Sequence, residues 1–307
     1  MTARFAAVFP GQGSQRHGML ASLPDPDPVI RLLDAAEALS GLDLRDIATD
    51  GTPDQLADTR AAQPLLYLAD WAWGSALLEH GAVPVAFAGH SLGELAALAV
   101  AGAFSVEAGL ELVVERSRLM ARCAADTPGG MMAVIGMDSA VIAACVADLG
   151  GVWVANDNAP GQVVLSGTYE GLGEATRALS EAGARRLVPL NVAGPFHSPL
   201  MEPAAADFRA VLERAAFNDI PVPVVQNAGP TPATDAGTLR ERLAAQITSP
   251  VRWTETMSAL QQAGATVVVE CGPGAVLRGL ARRVDGLEAM GLEETGVETV
   301  VEELEER

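Results

Sequence analysis

The stretch Val85-Ala86-Phe87-Ala88-Gly89-His90-Ser91-Leu92-Gly93-Glu94 decides how the chain is read. Val85 to Ala88 is a short apolar run and is predicted as a buried strand. Gly89-His90-Ser91-Leu92-Gly93 then matches G-x-S-x-G, and the apolar residues from Leu92 to Ala101 predict a helix. Strand, tight turn and helix in that order make a nucleophile elbow. Glycines on both sides let the chain turn sharply and leave room around the serine. Ser91 would then stand at a helix N-terminus, where backbone N–H groups can receive a developing oxyanion. The same residues allow a plainer role, because Ser91-x-x-Glu94 is also a capping box.

On either side, apolar runs alternate with helical patterns, which predicts an α/β fold. Phe5 to Phe9 is a strand stopped by Pro10-Gly11-Gln12-Gly13. Helices are expected at Ala61 to Glu79 and at Ser105 to Ala124. The composition changes at Asp126-Thr127-Pro128-Gly129-Gly130. Beyond it come a strand (Met131 to Met137), a helix (Ser139 to Leu149) and two strands (Val152 to Ala155, Gln162 to Ser166). A helix (Glu170 to Ala182) and a strand (Arg185 to Leu190) complete a βαββαβ order, the ferredoxin-like unit. Residues 127–194 are therefore expected as an inserted small subdomain. Residues 1–126 and 195–307 would form an α/β-hydrolase-like large domain with a parallel sheet. Strands at Val222 to Gln226 and Thr266 to Glu270 would complete it, and Glu293 to Arg307 reads as an acidic amphipathic helix.

The 307 residues suffice for one large domain with a smaller one. Apolar residues make up 49% and aromatics only 4%, so Ala, Leu and Val must build the core. There is no lysine, which excludes a Schiff base and a lysine-dependent phosphate loop. A formal net charge of −19 argues against a nucleic-acid partner. No apolar run is long enough to span a bilayer, and the first nine residues are too short for a secretory signal. Three scattered cysteines, Cys123, Cys145 and Cys271, fit neither a zinc site nor a disulfide framework. They point to a reducing cytoplasm.

A serine nucleophile needs a base, and there are four histidines to choose from. His17 lies in an early polar segment, His80 ends an exposed-looking helix, and the side chain of His90 should diverge from its neighbour Ser91. His197 remains. It follows Gly194-Pro195-Phe196 where the chain leaves a strand, a common place for catalytic groups. It reads equally well as an ordinary histidine near the start of a helix.

Arg116 is the misplaced charge. Leu112, Val113, Leu119 and Met120 form the apolar stripe of their helix, and helical spacing puts Arg116 on it. A guanidinium there needs an anionic partner. An internal carboxylate would serve; so would a substrate carboxylate gripped by both arms of the fork.

Further motifs follow one another along the chain. They are Phe9-Pro10-Gly11-Gln12-Gly13-Ser14-Gln15, Gln63-Pro64, Gly89 to Glu94, Arg116 and Asn156-Asp157-Asn158-Ala159-Pro160-Gly161-Gln162. After these come Pro195-Phe196-His197-Ser198, Gln246 ahead of Ser249-Pro250-Val251, and Glu270-Cys271-Gly272-Pro273-Gly274. In this order they resemble the malonyl-CoA:acyl carrier protein transacylase family and the acyltransferase domains of fatty-acid and polyketide synthases. The resemblance covers nearly the whole chain. It implies Ser91 as nucleophile and His197 as base, with Gln246 accepting a hydrogen bond from His197. It implies an oxyanion hole from the N–H groups of Gln12 and Leu92, and a malonate carboxylate on Arg116. His90, Phe196 and a loop at Asn156 would border the substrate, with Phe196 favouring malonyl over methylmalonyl. Malonyl-CoA and an acyl carrier protein would be the partners of a monomeric, cytoplasmic enzyme that needs neither cofactor nor metal. Within this class a free-standing polyketide acyltransferase and the transacylase component of a malonate decarboxylase remain open. Outside it stands a serine esterase of α/β-hydrolase type, which would have no use for Arg116.

Because coenzyme A, malonate and a typical carrier protein are all anionic, local arginines would have to overcome the acidic field. The candidates are Arg185 and Arg186 on the small unit, and Arg278, Arg282 and Arg283 near the C-terminus.

Overall fold

In a computed structural model, residues 3–307 are described. Among these residues, ten strands form two sheets. The first sheet contains β1 (Phe5–Phe9), β2 (Ala86–Gly89), β7 (Val224–Gln226), β8 (Gly229–Ala233), β9 (Val267–Glu270) and β10 (Glu288–Gly291), in the order β10-β9-β1-β2-β7-β8. All its pairings are parallel except β7 with β8. The second sheet contains β3 (Gly130–Ile135), β4 (Val152–Ala159), β5 (Gln162–Gly167) and β6 (Arg186–Pro189). It is wholly antiparallel, in the order β4-β5-β3-β6.

The central strand β1 is buried at every residue, as a strand with helices on both faces should be. The helix Thr59–Glu79 packs closely enough that a Cβ on Gly74 would meet the Phe9 ring at 2.6 Å. Two buried clusters therefore lie on opposite faces of the first sheet: Phe5, Ala7 and Phe9 belong to one, Ala6 and Val8 to the other. The second sheet has its own cluster, with Val134, Ile142, Leu165 and Leu179 at its centre. No helix among the described residues is long and apolar enough to cross a membrane.

Several expectations are corrected. β4 does not stop at Ala155 but runs on to Ala159, so Asn156 lies in a strand rather than a loop. Bulges on both sides of Asn156 break the alternation that marks a strand, which hid this extension. β8 was not expected, because its Pro230 and Pro232 argue against a strand; they are tolerated at a sheet edge. β10 is the opposite edge and was likewise not expected. The acidic tail is two helices, Leu292–Thr295 and Val297–Glu306, separated at Gly296, whose φ of 86° a helix cannot continue.

Candidate active site

β2 ends at Gly89 and the next helix, Gly93–Ala101, begins four residues later. The turn between them closes only because both ends are glycine. A Cβ on Gly89 would lie 2.0 Å from the carbonyl carbon of Gly93, and one on Gly93 would lie 2.1 Å from the Phe9 oxygen. Ser91 sits at the apex with φ of 51°. Among the described residues only one other non-glycine has positive φ, and it is His197, at 56°. Such backbone costs of order 1–3 kcal/mol per residue, so the surrounding contacts must hold it in place.

These two strained residues meet: Ser91 Oγ lies 2.8 Å from His197 Nε2. On the far side of the ring, Nδ1 lies 3.1 Å from the Gln246 carbonyl oxygen and 3.2 Å from that of Ser249. Carbonyls can only accept, so Nδ1 carries the proton and Nε2 is left free to accept from the serine. Burial, reinforced by the Arg116 charge, pushes the imidazole down to about 3. It is neutral throughout the ordinary range. His17 and His80 lie elsewhere, each with its ring against a backbone carbonyl.

Arg116 is fully buried on the helix Val106–Asp126. Its Nη1 donates to Gln63 Oε1 (2.7 Å); its Nη2 donates to Gln246 Oε1 (2.8 Å) and to Ser91 Oγ (3.2 Å). Every partner is a neutral oxygen, and Nε has none. The internal salt bridge weighed from the sequence is absent among the described residues. Burial pulls the guanidinium down to about 10, which still leaves it charged at neutral pH.

Gln246 faces His197 through its main chain: the backbone carbonyl, not the side chain, accepts from Nδ1. The side-chain amide instead bridges Arg116 and the Ser91 carbonyl, to which Nε2 donates at 2.9 Å. The capping-box role for Ser91 also fails. The helix N-cap is Leu92, with no side-chain cap, and the Glu94 carboxylate turns away to Gln226 and Asn227.

A cavity of about 400 Å³ opens between the two sheets. Its inner end presents Ser91, His197 and Arg116 together with Gln12 and Leu92; Met120, Met131, Val164 and Phe196 supply apolar wall. The N–H groups of Gln12 and Leu92 have no acceptor among the described residues. His90 and Asn156 also line the cavity. His90 Nε2 lies 2.8 Å from Asn158 Oδ1, and its ring packs 5.4 Å from that of Trp253, so the side chain diverges from Ser91 as expected. Sequence reasoning gave Asn227 and Asn158 no individual role, and Glu94 only that of a cap. Each acts through a partner far away in sequence, which leaves no local pattern.

At the cavity rim stand two exposed apolar residues, Leu190 and Val276. Arg185 and Arg186 precede the first, and Arg282 and Arg283 follow the second; all four are exposed. Arg278 drops out of that group: its side chain is only 13% exposed and paired with Glu294.

Comparison with known proteins finds relatives that cover nearly the whole chain. The malonyl CoA-acyl carrier protein transacylase of Salmonella typhimurium is 40% identical over 297 residues, covering 95% of this chain and 96% of that protein. The structure of the malonyl CoA-acyl carrier protein transacylase of Coxiella burnetii superposes with a TM-score of 0.93 at 35% identity, covering 99% of both chains. A malonyl-transacylase solved in complex with a type II polyketide synthase acyl-carrier protein gives 0.91 at 38% identity, covering 98% of this chain and all of that one. The family model described as the acyl transferase domain matches residues 7–304, and the chain belongs to that family.

Proposed function

We propose that the protein moves a malonyl group from malonyl-CoA to the phosphopantetheine thiol of an acyl carrier protein, through an ester on Ser91. One observation carries this reading. A neutral imidazole within 2.8 Å of a strained serine shares its cavity with a buried guanidinium that makes no ion pair with a carboxylate among the described residues.

His197 Nε2 takes the proton as Ser91 Oγ attacks the thioester carbonyl. The negative oxygen of the tetrahedral intermediate is received by the N–H groups of Gln12 and Leu92, each worth on the order of 3 kcal/mol. The C–S bond breaks and His197 returns the proton to the departing coenzyme A sulfur. The carrier thiol then gives its proton to His197 and attacks the ester; the C–O bond breaks and His197 returns the proton to Ser91 Oγ. The imidazolium formed in each half is held by the Gln246 and Ser249 carbonyls. Dipoles suffice here because a thioester is already an activated donor, and for the same reason the chemistry calls for no cofactor. Arg116 grips the free carboxylate of malonate and so aligns the acyl carbon with Oγ. Phe196 narrows the wall against a methyl branch.

We read the first sheet and its helices as an α/β-hydrolase-like domain, residues 1–126 and 195–307. Residues 127–194 form a ferredoxin-like insertion, a reading supported by the β4-β5-β3-β6 order and the βαββαβ sequence of elements.

Intact-mass measurement after mixing with malonyl-, methylmalonyl- or acetyl-CoA tests the proposal. A malonyl adduct should form fastest and discharge on addition of holo carrier protein. An adduct that only water discharges would make the protein an esterase. The arginines flanking the rim are proposed to receive the acidic carrier. Changing Arg282 and Arg283 together to glutamate should raise the KM for carrier protein several-fold and leave that for malonyl-CoA unchanged. Unchanged carrier kinetics would move the docking surface elsewhere.

A further inference from the structure

The Ser91 peptide is held from behind by a residue outside the cavity. Asn227 directly follows β7, which runs parallel beside β2. Its Oδ1 accepts from the Ser91 N–H (2.7 Å), and its Nδ2 donates to the Gly89 carbonyl (2.6 Å). A backbone N–H can only donate and a carbonyl can only accept, so both partners dictate the same orientation of the amide. The side chain thereby bonds residues 89 and 91 as a neighbouring strand would, and extends the β2–β7 ladder across the strained elbow. Asn227 is itself clamped: its N–H donates to Glu94 Oε2 (2.7 Å), while Gln226 Nε2 donates to Glu94 Oε1 (3.1 Å). Both Glu94 and Asn227 are buried, Glu94 completely.

We infer that Asn227, braced by Glu94, is the positioning residue that keeps Ser91 Oγ in line with His197. Two consequences follow. The Ser91 N–H is occupied, so it cannot serve the oxyanion and leaves that task to Leu92 and Gln12. The strain at Ser91 is matched by bonds on both of its flanking peptide groups, from Asn227 to the N–H and from Gln246 to the carbonyl. This inference rests on the acyl-transfer reading, since it concerns the efficiency of that serine.

Asn227→Ala should slow single-turnover acylation by malonyl-CoA on the order of 10²-fold, the penalty of a nucleophile displaced by about an ångström. Half-saturation by malonyl-CoA should stay within about twofold, because Asn227 does not line the cavity. Asn227→Asp separates positioning from general packing. Its ionised form still accepts from the Ser91 N–H, but turns a second acceptor toward the Gly89 carbonyl. The protonated form restores a donor there. Glu94 is the carboxyl in contact with this segment, while Arg116 and His197 lie on the Oγ side of Ser91. The acylation rate of Asn227→Asp, as a ratio to wild type, should therefore climb as pH is lowered from about 8 to about 6. Circular dichroism at each pH confirms the fold. A folded Asn227→Ala that acylates at the wild-type rate, or an Asn227→Asp ratio indifferent to pH, overturns the inference. If neither variant folds, hydrogen exchange of the Ser91 amide in nitrogen-labelled wild type decides: strong protection supports the staple, and loop-like exchange rejects it. Failure of the wild type to form any acyl-enzyme would instead defeat the acyl-transfer reading itself.

Discussion

Ser91→Ala should give no covalent adduct with malonyl-CoA and should lower transfer to the carrier thiol by on the order of 10⁴- to 10⁶-fold. The ester has no other oxygen to form on. Arg116 and Gln63 supply nitrogen and amide groups, and no other serine, threonine or tyrosine lines the cavity. His197→Ala should cost about as much, and the double variant scarcely more, because the pair acts as one unit. A persisting adduct in Ser91→Ala would refute the nucleophile assignment. The pH dependence separates this site from an ordinary serine–histidine pair. An unperturbed imidazole loses its basicity as pH falls through about 6.5. Here burial and Arg116 hold His197 down to about 3, so the base form survives well into acid. Acylation should therefore show no imidazole inflection between about pH 7 and about pH 5. Burial raises Glu94 to about 7, in the range where a histidine is usually sought. An inflection near neutrality would belong to Glu94 and should vanish in Glu94→Gln. If it persists in that variant, His197 titrates normally and its environment differs from the one described.

What the sequence discloses about this site depends on how local each contact is. The elbow is legible because its strand, glycines and helix are contiguous, and the geometry follows from ten residues. His197 is reached by exhausting the alternatives, which works only because histidines are scarce here; nothing near it announces φ of 56°. Arg116 is visible as a charge on an apolar stripe, yet the stripe could not say whether a carboxylate waits beside it. The acceptors behind His197 are backbone carbonyls, and a carbonyl carries no residue identity, so no pattern of residue types announces them. Asn227 is hidden most completely. It merely follows the predicted strand Val222 to Gln226, while its partner Ser91 lies 136 residues earlier. Glu94 was legible as a cap because its spacing from Ser91 fits one, and only tertiary structure reveals that the carboxylate faces the other way. The strand errors have the same origin. Two prolines in β8 and two bulges in β4 break local rules that an edge position and a distorted pairing relax.

Arg116→Ala should reverse the acyl preference as well as slow the enzyme. The barrier to malonyl transfer should rise by roughly 3–5 kcal/mol, slowing it on the order of 10²- to 10⁴-fold, the usual cost of leaving one partner of a buried ion pair alone. Acetyl transfer should change far less. In the wild type an acetyl group leaves the guanidinium facing only neutral oxygens, so removing the charge deprives acetyl of little. Truncation also strips donors from Gln63 and Gln246, and each orphaned buried acceptor costs about 1–3 kcal/mol. The variant should accordingly melt at a lower temperature, which is why the ratio of the two acyl groups, and not either rate alone, is the deciding quantity. Arg116→Lys sharpens the comparison. A single ammonium keeps the charge but cannot span Gln63 on one side and Gln246 with Ser91 on the other. It should recover part of the malonyl rate while leaving the elbow less well held. Equal losses for malonyl and acetyl in Arg116→Ala would mean that the guanidinium acts by fastening Gln246 and the serine, and the origin of the diacid preference would then have to be sought in the walls around Phe196.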